Sequence, residues 1–201
     1  MVIAEDKADG RTLRHQHRRP ELLAGAVEYI LDNGVAELTL RPLAEALGVT
    51  HATLLRHFGS KEELVKEVIT AIRLGLLKNL RDSVGDDPAA TPAHSMRTVW
   101  RQLCEPDERR QFTLLFELVA LESRDPDRFG SLASVLITDF LPLIEAGLEA
   151  GGRSPAEARD LATAWLAQLR GLQLDLAVSG DRARVDAAMD RYIDLITRNG
   201  E

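Results

Sequence analysis

Apolar residues recur along this chain at three- and four-residue intervals, and they nowhere alternate one in two. That period belongs to helices with one buried face, and the alternation of half-buried strands is missing. Pro20 is expected to open a first helix with Leu23, Val27, Ile30 and Leu31 on one face, and Gly34 to stop it. Two short helices follow. In the first, Leu40, Leu43 and Leu47 share a face, Ala44 admits a crossing helix, Thr39 caps the start and Pro42 fits the first turn. Gly48 stands where the chain must reverse, and Thr50 can cap the second short helix, which buries Leu54 and Phe58. Ser60 and Glu63 form a capping-box pair for a long helix to about Arg81, with Leu64, Val68, Ile72, Leu76 and Leu80 inward. The segment 82–92 reads as a loop. Helices are then expected over 91–105, 106–123, 127–152 (kinked at Pro142), 154–180 and 181–200. The fold class is therefore all-α, with about nine helices.

The polar residues on the second short helix carry the candidate chemistry. His51, Thr53, Arg56 and His57 are left to face outward. A short helix with a buried edge and a polar, partly basic outer face can enter a DNA major groove. Ala44, Gly48 and Leu54 have the small–glycine–apolar spacing of a DNA-binding helix-turn-helix, although helical hairpins that touch no nucleic acid share that spacing. The continuation is more specific. AEALGVTHATLLRHFGSKEEL resembles the DNA-binding domain of the TetR (tetracycline repressor) family almost residue by residue. The resemblance implies that Thr39, Thr50 and Lys61 contact phosphates, while His51, Ala52, Thr53 and Arg56 approach base edges. One departure stands out: Leu55 occupies the place of a tyrosine whose hydroxyl commonly contacts a phosphate in the family, leaving that task to another group such as His57. The same resemblance implies a flexible basic arm over 1–18, a helix-turn-helix domain over 19–64, and a ligand-binding and dimerisation domain over 65–201. The last two helices would pair with their copies in a homodimer. Ala164, Leu169, Leu172, Leu176, Val185, Ala188, Met189, Tyr192, Ile193 and Ile196 fit either that face or the core of one subunit.

Charge looks wrong for a nucleic-acid binder until it is divided. The net charge is −7, yet the chain through Lys61 holds eight Lys/Arg and eight Asp/Glu, leaving 17 basic and 24 acidic residues beyond it. Within the first part Arg11, Arg14, Arg18 and Arg19 lie together without an acid, interleaved with His15 and His17. Such a cluster ahead of a helix-turn-helix can reach phosphates; Arg18 and Arg19, beside the first helix, are the better candidates. No apolar run is long enough to span a bilayer and the start of the chain lacks a secretory apolar core, so a cytoplasmic location is expected. Cys104, the single cysteine, reads as a small buried hydrophobe.

The second half supplies aromatic and apolar walls for a small-molecule pocket, among them Trp100, Leu103, Phe112, Phe116, Phe129, Phe140 and Trp165. Gln111, Arg170 and Gln173 are candidate polar anchors, and the expected effector is small and largely apolar. No Glu-x-x-His pair, P-loop, dinucleotide-binding glycine turn or G-x-S-x-G is present, and His94 is the only histidine after His57. No metal, no cofactor and no catalytic residue are expected. These features point to a ligand-responsive, dimeric regulator, a repressor, released by its effector from a palindromic operator. The alternative is an all-helical interaction or small-molecule-binding module whose helix-turn-helix is structural.

Overall fold

Nine α-helices and no strand make up the described part of the computed structural model. Its backbone is described for residues 6–85, 91–126, 138 and 140–198, and its side chains from residue 18 to residue 197 within those ranges. The chain divides into two units, Met1–Leu74 and Gly75–Glu201, and the division lies within α4.

The first unit holds α1 (Asp6–Asn33), α2 (Leu40–Ala46), α3 (His51–Phe58) and the first part of α4 (Lys61–Val84). Helix α1 begins well before the expected start, and Pro20 lies inside it. A proline opens a helix only where nothing helical precedes it. Here Lys7, Ala8, Leu13, Gln16 and four arginines among residues 6–19 are good helix formers, and the helix runs on through the one backbone bond that Pro20 cannot make. Its inward stripe runs along Leu22, Ala26 and Ile30, with Leu23, Val27 and Leu31 half-buried beside it. Gly25 lies where α1 meets the turn after α2: a Cβ built there would stand 2.4 Å from Leu47 Cδ2. Leu43, Ala44, Leu54, Phe58, Leu64 and Val68 are also buried in this unit.

The second unit continues α4 and adds α5 (Pro92–Leu103), α6 (Pro106–Arg124), α7 (Phe140–Ala150), α8 (Pro155–Ser179) and α9 (Arg182–Arg198). Each start is written in the sequence. Thr91 Oγ1 accepts from His94 N at 3.3 Å, and Ser154 and Glu157 close a reciprocal capping box. Pro92, Pro106 and Pro155 take first-turn positions, where a missing N–H costs little. Pro142, expected as a kink, lies in the first turn of α7 as described. Helix α8 is central and packs on α6, α7 and α9, while α9 also packs on α5. Their shared core includes Trp100, Leu103, Phe140, Trp165, Leu169, Leu172, Leu176, Val185, Met189 and Ile193. Of the residues that fitted either a subunit interface or the core, Leu169, Leu172, Leu176, Val185, Met189 and Ile193 lie in the core of this chain and Tyr192 and Ile196 pack against it, whereas Ala164 and Ala188 are exposed. Polar bonds pin the helices at their edges: Trp100 Nε1 donates to Asp186 Oδ1 at 2.7 Å, and Arg97 bridges Asp190 and Asp194.

Candidate nucleic-acid interface

The turn between α2 and α3 sets the geometry of the first unit. Gly48 adopts φ +64, a left-handed conformation that other residues reach only at a cost. Gly48 N donates to Glu45 O at 3.0 Å and Val49 N to Ala44 O at 2.9 Å, the paired bonds of a Schellman ending. Thr50 then caps α3, its Oγ1 accepting from Thr53 N at 3.1 Å and lying 2.9 Å from Thr53 Oγ1. At the other end, Gly59 N bonds back to Leu55 O at 2.8 Å, and Ser60 Oγ accepts from Glu63 N at 3.1 Å to start α4. Glu63 does not return the bond of a full capping box; its Oε1 takes Lys66 Nζ at 3.0 Å.

Helix α3 has two faces. Leu54, His57 and Phe58 are buried, whereas His51, Ala52, Leu55 and Arg56 are exposed and Thr53 is half-buried. Positions 52, 55 and 56 are three and four apart, so they share one surface of the helix. His57 corrects the expectation that it faces outward. Position 57 lies only about 60° from 54 in helical rotation, and its ring is carried inward, 8% exposed, with its centroid 6.3 Å from that of Phe58. It cannot replace the missing tyrosine. The exposed Leu55 instead puts an aliphatic group on the outer face.

Three further candidate groups belong to other elements of this unit. Thr39 precedes α2 and is exposed, and its side chain makes no capping bond. Lys61 is half-buried at the first turn of α4, and Arg18 is exposed on α1. Arg56 and Lys61 have no ion-pair partner among the described residues. Arg41, exposed on α2, was not singled out from the sequence; its place in the first turn beside Thr39 was the available signal. Arg19 is engaged within the unit rather than turned to solvent. Its Nη2 lies 2.6 and 2.7 Å from the two Glu67 carboxylate oxygens, its Nε donates to His57 O at 3.2 Å, and its guanidinium lies 5.2 Å from the Phe58 ring centre. The side chains of Arg11 and Arg14 lie outside the described residues.

Residues 22–68, which include α2, α3 and the first turns of α4, match the family described as bacterial regulatory proteins, tetR family. The chain is also 26% identical over 185 residues to the HTH-type transcriptional repressor KstR2 of Rhodococcus jostii, covering 89% of each protein. It is 28% identical over 191 residues to the nucleoid occlusion factor SlmA of Vibrio cholerae, covering 90% of this chain and 94% of that one. Its fold is shared with a transcriptional regulator of Rhodococcus sp. RHA1 (TM-score 0.75, 20% identity, 90% and 96% of the two chains covered). The matched segment, residues 22–68, is of the TetR family. These likenesses support a DNA-binding regulator rather than an enzyme. None of its described helices is long and apolar enough to cross a membrane.

The regulator's second unit distributes the expected pocket residues unevenly. Trp100 and Trp165 are core, the latter stacked on Tyr192 with ring centres 6.2 Å apart. Phe140 is also buried in that core. Leu103 and Phe112 line a cavity of about 290 Å³ between α5, α6 and α8, together with Arg109, Gln173 and Leu176. Phe116 is partly exposed and meets Phe112 edge-on at 4.6 Å. Phe129 lies outside the described residues. Of the candidate polar anchors, Arg170 and Gln173 pair with each other along α8. Arg170 Nη1 donates to Gln173 Oε1 at 3.0 Å, and the Gln111 side-chain oxygen is buried without a partner. Cys104 is buried, and burial pushes its thiol up to about 11, which suits a packing role.

Proposed function

We propose that this regulator is a homodimeric, cytoplasmic repressor, released from a palindromic operator by a small effector bound in the second unit. The outward face of α3 is the observation that carries the DNA half of this reading. Ala52, Leu55 and Arg56 form one exposed surface, with His51 at its start, and in this reading Thr39, Thr50 and Lys61 contact phosphates. In this reading residues 19–64 form the reading head, Thr53 approaches the bases with Ala52, and 1–18, Arg18 included, adds a basic arm. A phosphate beside Lys61 would also meet the backbone N–H groups at the start of α4.

A second copy of the chain fits the outer face of α8. Ala164, Ala167, Gly171, Leu174 and Val178 are all exposed, and their spacing repeats three and four residues. Val178 is 81% exposed, and Leu195 on the neighbouring α9 is 57% exposed. A glycine inside a helix costs about 1 kcal/mol relative to alanine. A Cβ at Gly171 would meet nothing within 4 Å, so nothing within the chain calls for glycine there. Close approach of a partner helix would. Two reading heads joined this way would meet half-sites about 34–36 Å apart.

The first experiment is a mobility shift with the DNA upstream of the regulator's own gene, alongside sedimentation of the wild-type chain and of Val178→Glu. A salt-sensitive shift by a dimer, with both lost in Val178→Glu, is expected. No shift at low salt with any genomic fragment would favour the structural reading of the helix-turn-helix.

A further inference from the structure

Arg170 is a buried cation without an anion. Burial lowers its pKa to about 10, so it remains protonated at neutral pH. Its Nε is buried and has no hydrogen-bond partner, and no carboxylate among the described residues pairs with it. What surrounds it is neutral: the Gln173 amide oxygen at 3.0 Å, and the rings of Phe112 and Phe140 with centres 5.8 and 5.6 Å away. An apolar side chain of similar volume at such a place is commonly neutral or stabilising, so stability does not account for the arginine. Arg170 stands behind the wall of the 290 Å³ cavity: it does not line it, but two of its contacts, Gln173 and Phe112, do. Arg109, a second cation without an ion-pair partner among the described residues, stands at that cavity too.

We propose that this cavity binds a small amphipathic acid. The anionic group takes the place of the Gln173 oxygen on the Arg170 guanidinium, and the apolar part lies against Leu103, Phe112 and Leu176. The exchange turns a neutral acceptor into a charge-assisted, two-pronged one in a setting already stripped of water. The cavity lies at the small end of the range for ligand sites, which limits the acid to a short chain or a single ring. This inference rests on the reading of the second unit as the effector site and names the class of effector.

The test uses the full-length chain and three probes of matched length: octanoate, octanol and octylamine. Thermal unfolding is followed with each. Octanoate at about 100-fold above its Kd is expected to raise Tm by about 5–10 °C, and octanol by less. Arg170→Met is expected to lose the octanoate response and keep that of octanol. Gln173→Glu places a carboxylate on Arg170 from within the chain. It is expected to raise the Tm of the ligand-free protein and to abolish the octanoate response, and it decides the matter should Arg170→Met fail to fold. Equal shifts from octanoate and octanol, or an octanoate shift that survives in either variant, would overturn the proposal. Binding of octanol or octylamine alone would refute the acid site and leave an effector site standing. No shift from any probe would count against both.

Discussion

Replacing Gly48 by alanine isolates the cost of one backbone conformation. Gly48 lies at φ +64, and a Cβ built on it meets nothing within 4 Å. No clash or lost contact is therefore involved, only the left-handed conformation, which costs an L-residue about 1–2 kcal/mol. Alanine also restricts the unfolded chain, which returns about 0.4–1 kcal/mol. The net loss should be about 1 kcal/mol. It should appear as a fall in Tm of about 2–4 °C if the chain unfolds as one body, and about 4–8 °C if the first unit melts alone. Gly48→Asn should lose less, since asparagine tolerates this conformation. Calorimetry or circular dichroism measures the shift. Operator affinity at 25 °C should stay within about two-fold, because a loss of this size leaves nearly all of the protein folded. An alanine variant as stable as the wild type would refute the argument from φ. A ten-fold loss of DNA binding in a fully folded variant would show that the turn relaxes and tilts α3.

Other changes test separate links. Lys61→Ala should weaken binding to all sequences alike and lower the slope of log K against log salt by about one, whereas Arg56→Ala should cost about 1–3 kcal/mol at one base pair; identical uniform losses in fluorescence anisotropy would refute that division. Arg19→Met should lower stability by about 1 kcal/mol in urea titrations, given a half-exposed pair with Glu67, and should leave the salt slope of DNA binding unchanged. Glu108→Ala should cost about 1 kcal/mol, because Glu108 Oε1 accepts from Asn79 at 3.0 Å and Gln102 at 3.3 Å and so ties α4, α5 and α6; an unchanged Tm would contradict it. The Cys104 thiol, raised to about 11 from 9.0, favours the protonated folded state, so its contribution is complete below pH 9 and fades between pH 9 and 11. A thiol reagent at pH 8 should react only as fast as the protein unfolds.

Helix starts were legible wherever a cap, a proline or both marked them: Thr50, Thr91 with Pro92, and Ser154 with Pro155 are all local signals. The reversal at Gly48 was legible because its φ demands a particular residue. Pro20 misled because the helix-forming run before it is as strong a signal as the proline, and only the fold decides between them. The side of α3 on which His57 falls depends on which neighbouring helices cover it, and a polar residue gives no hint of being covered. Arg19 and Arg170 failed for a related reason. Glu67 is 48 residues from Arg19, and Phe112 and Phe140 reach Arg170 from other helices, so no short pattern announces either cluster. Burial in the second unit likewise decided between core and interface, as at Val185, Met189 and Ile193.

The grip of Arg19 has a consequence for the tempo of recognition. It holds the last turn of α3 by a backbone carbonyl, flattens on Phe58 beside it, and is itself braced by Glu67 from α4. The helix that meets the groove is thus oriented before any DNA arrives. An encounter need not wait for a floppy segment to order, and little conformational entropy is surrendered on docking. Discrimination between sites should then show itself in how long complexes last rather than in how quickly they form.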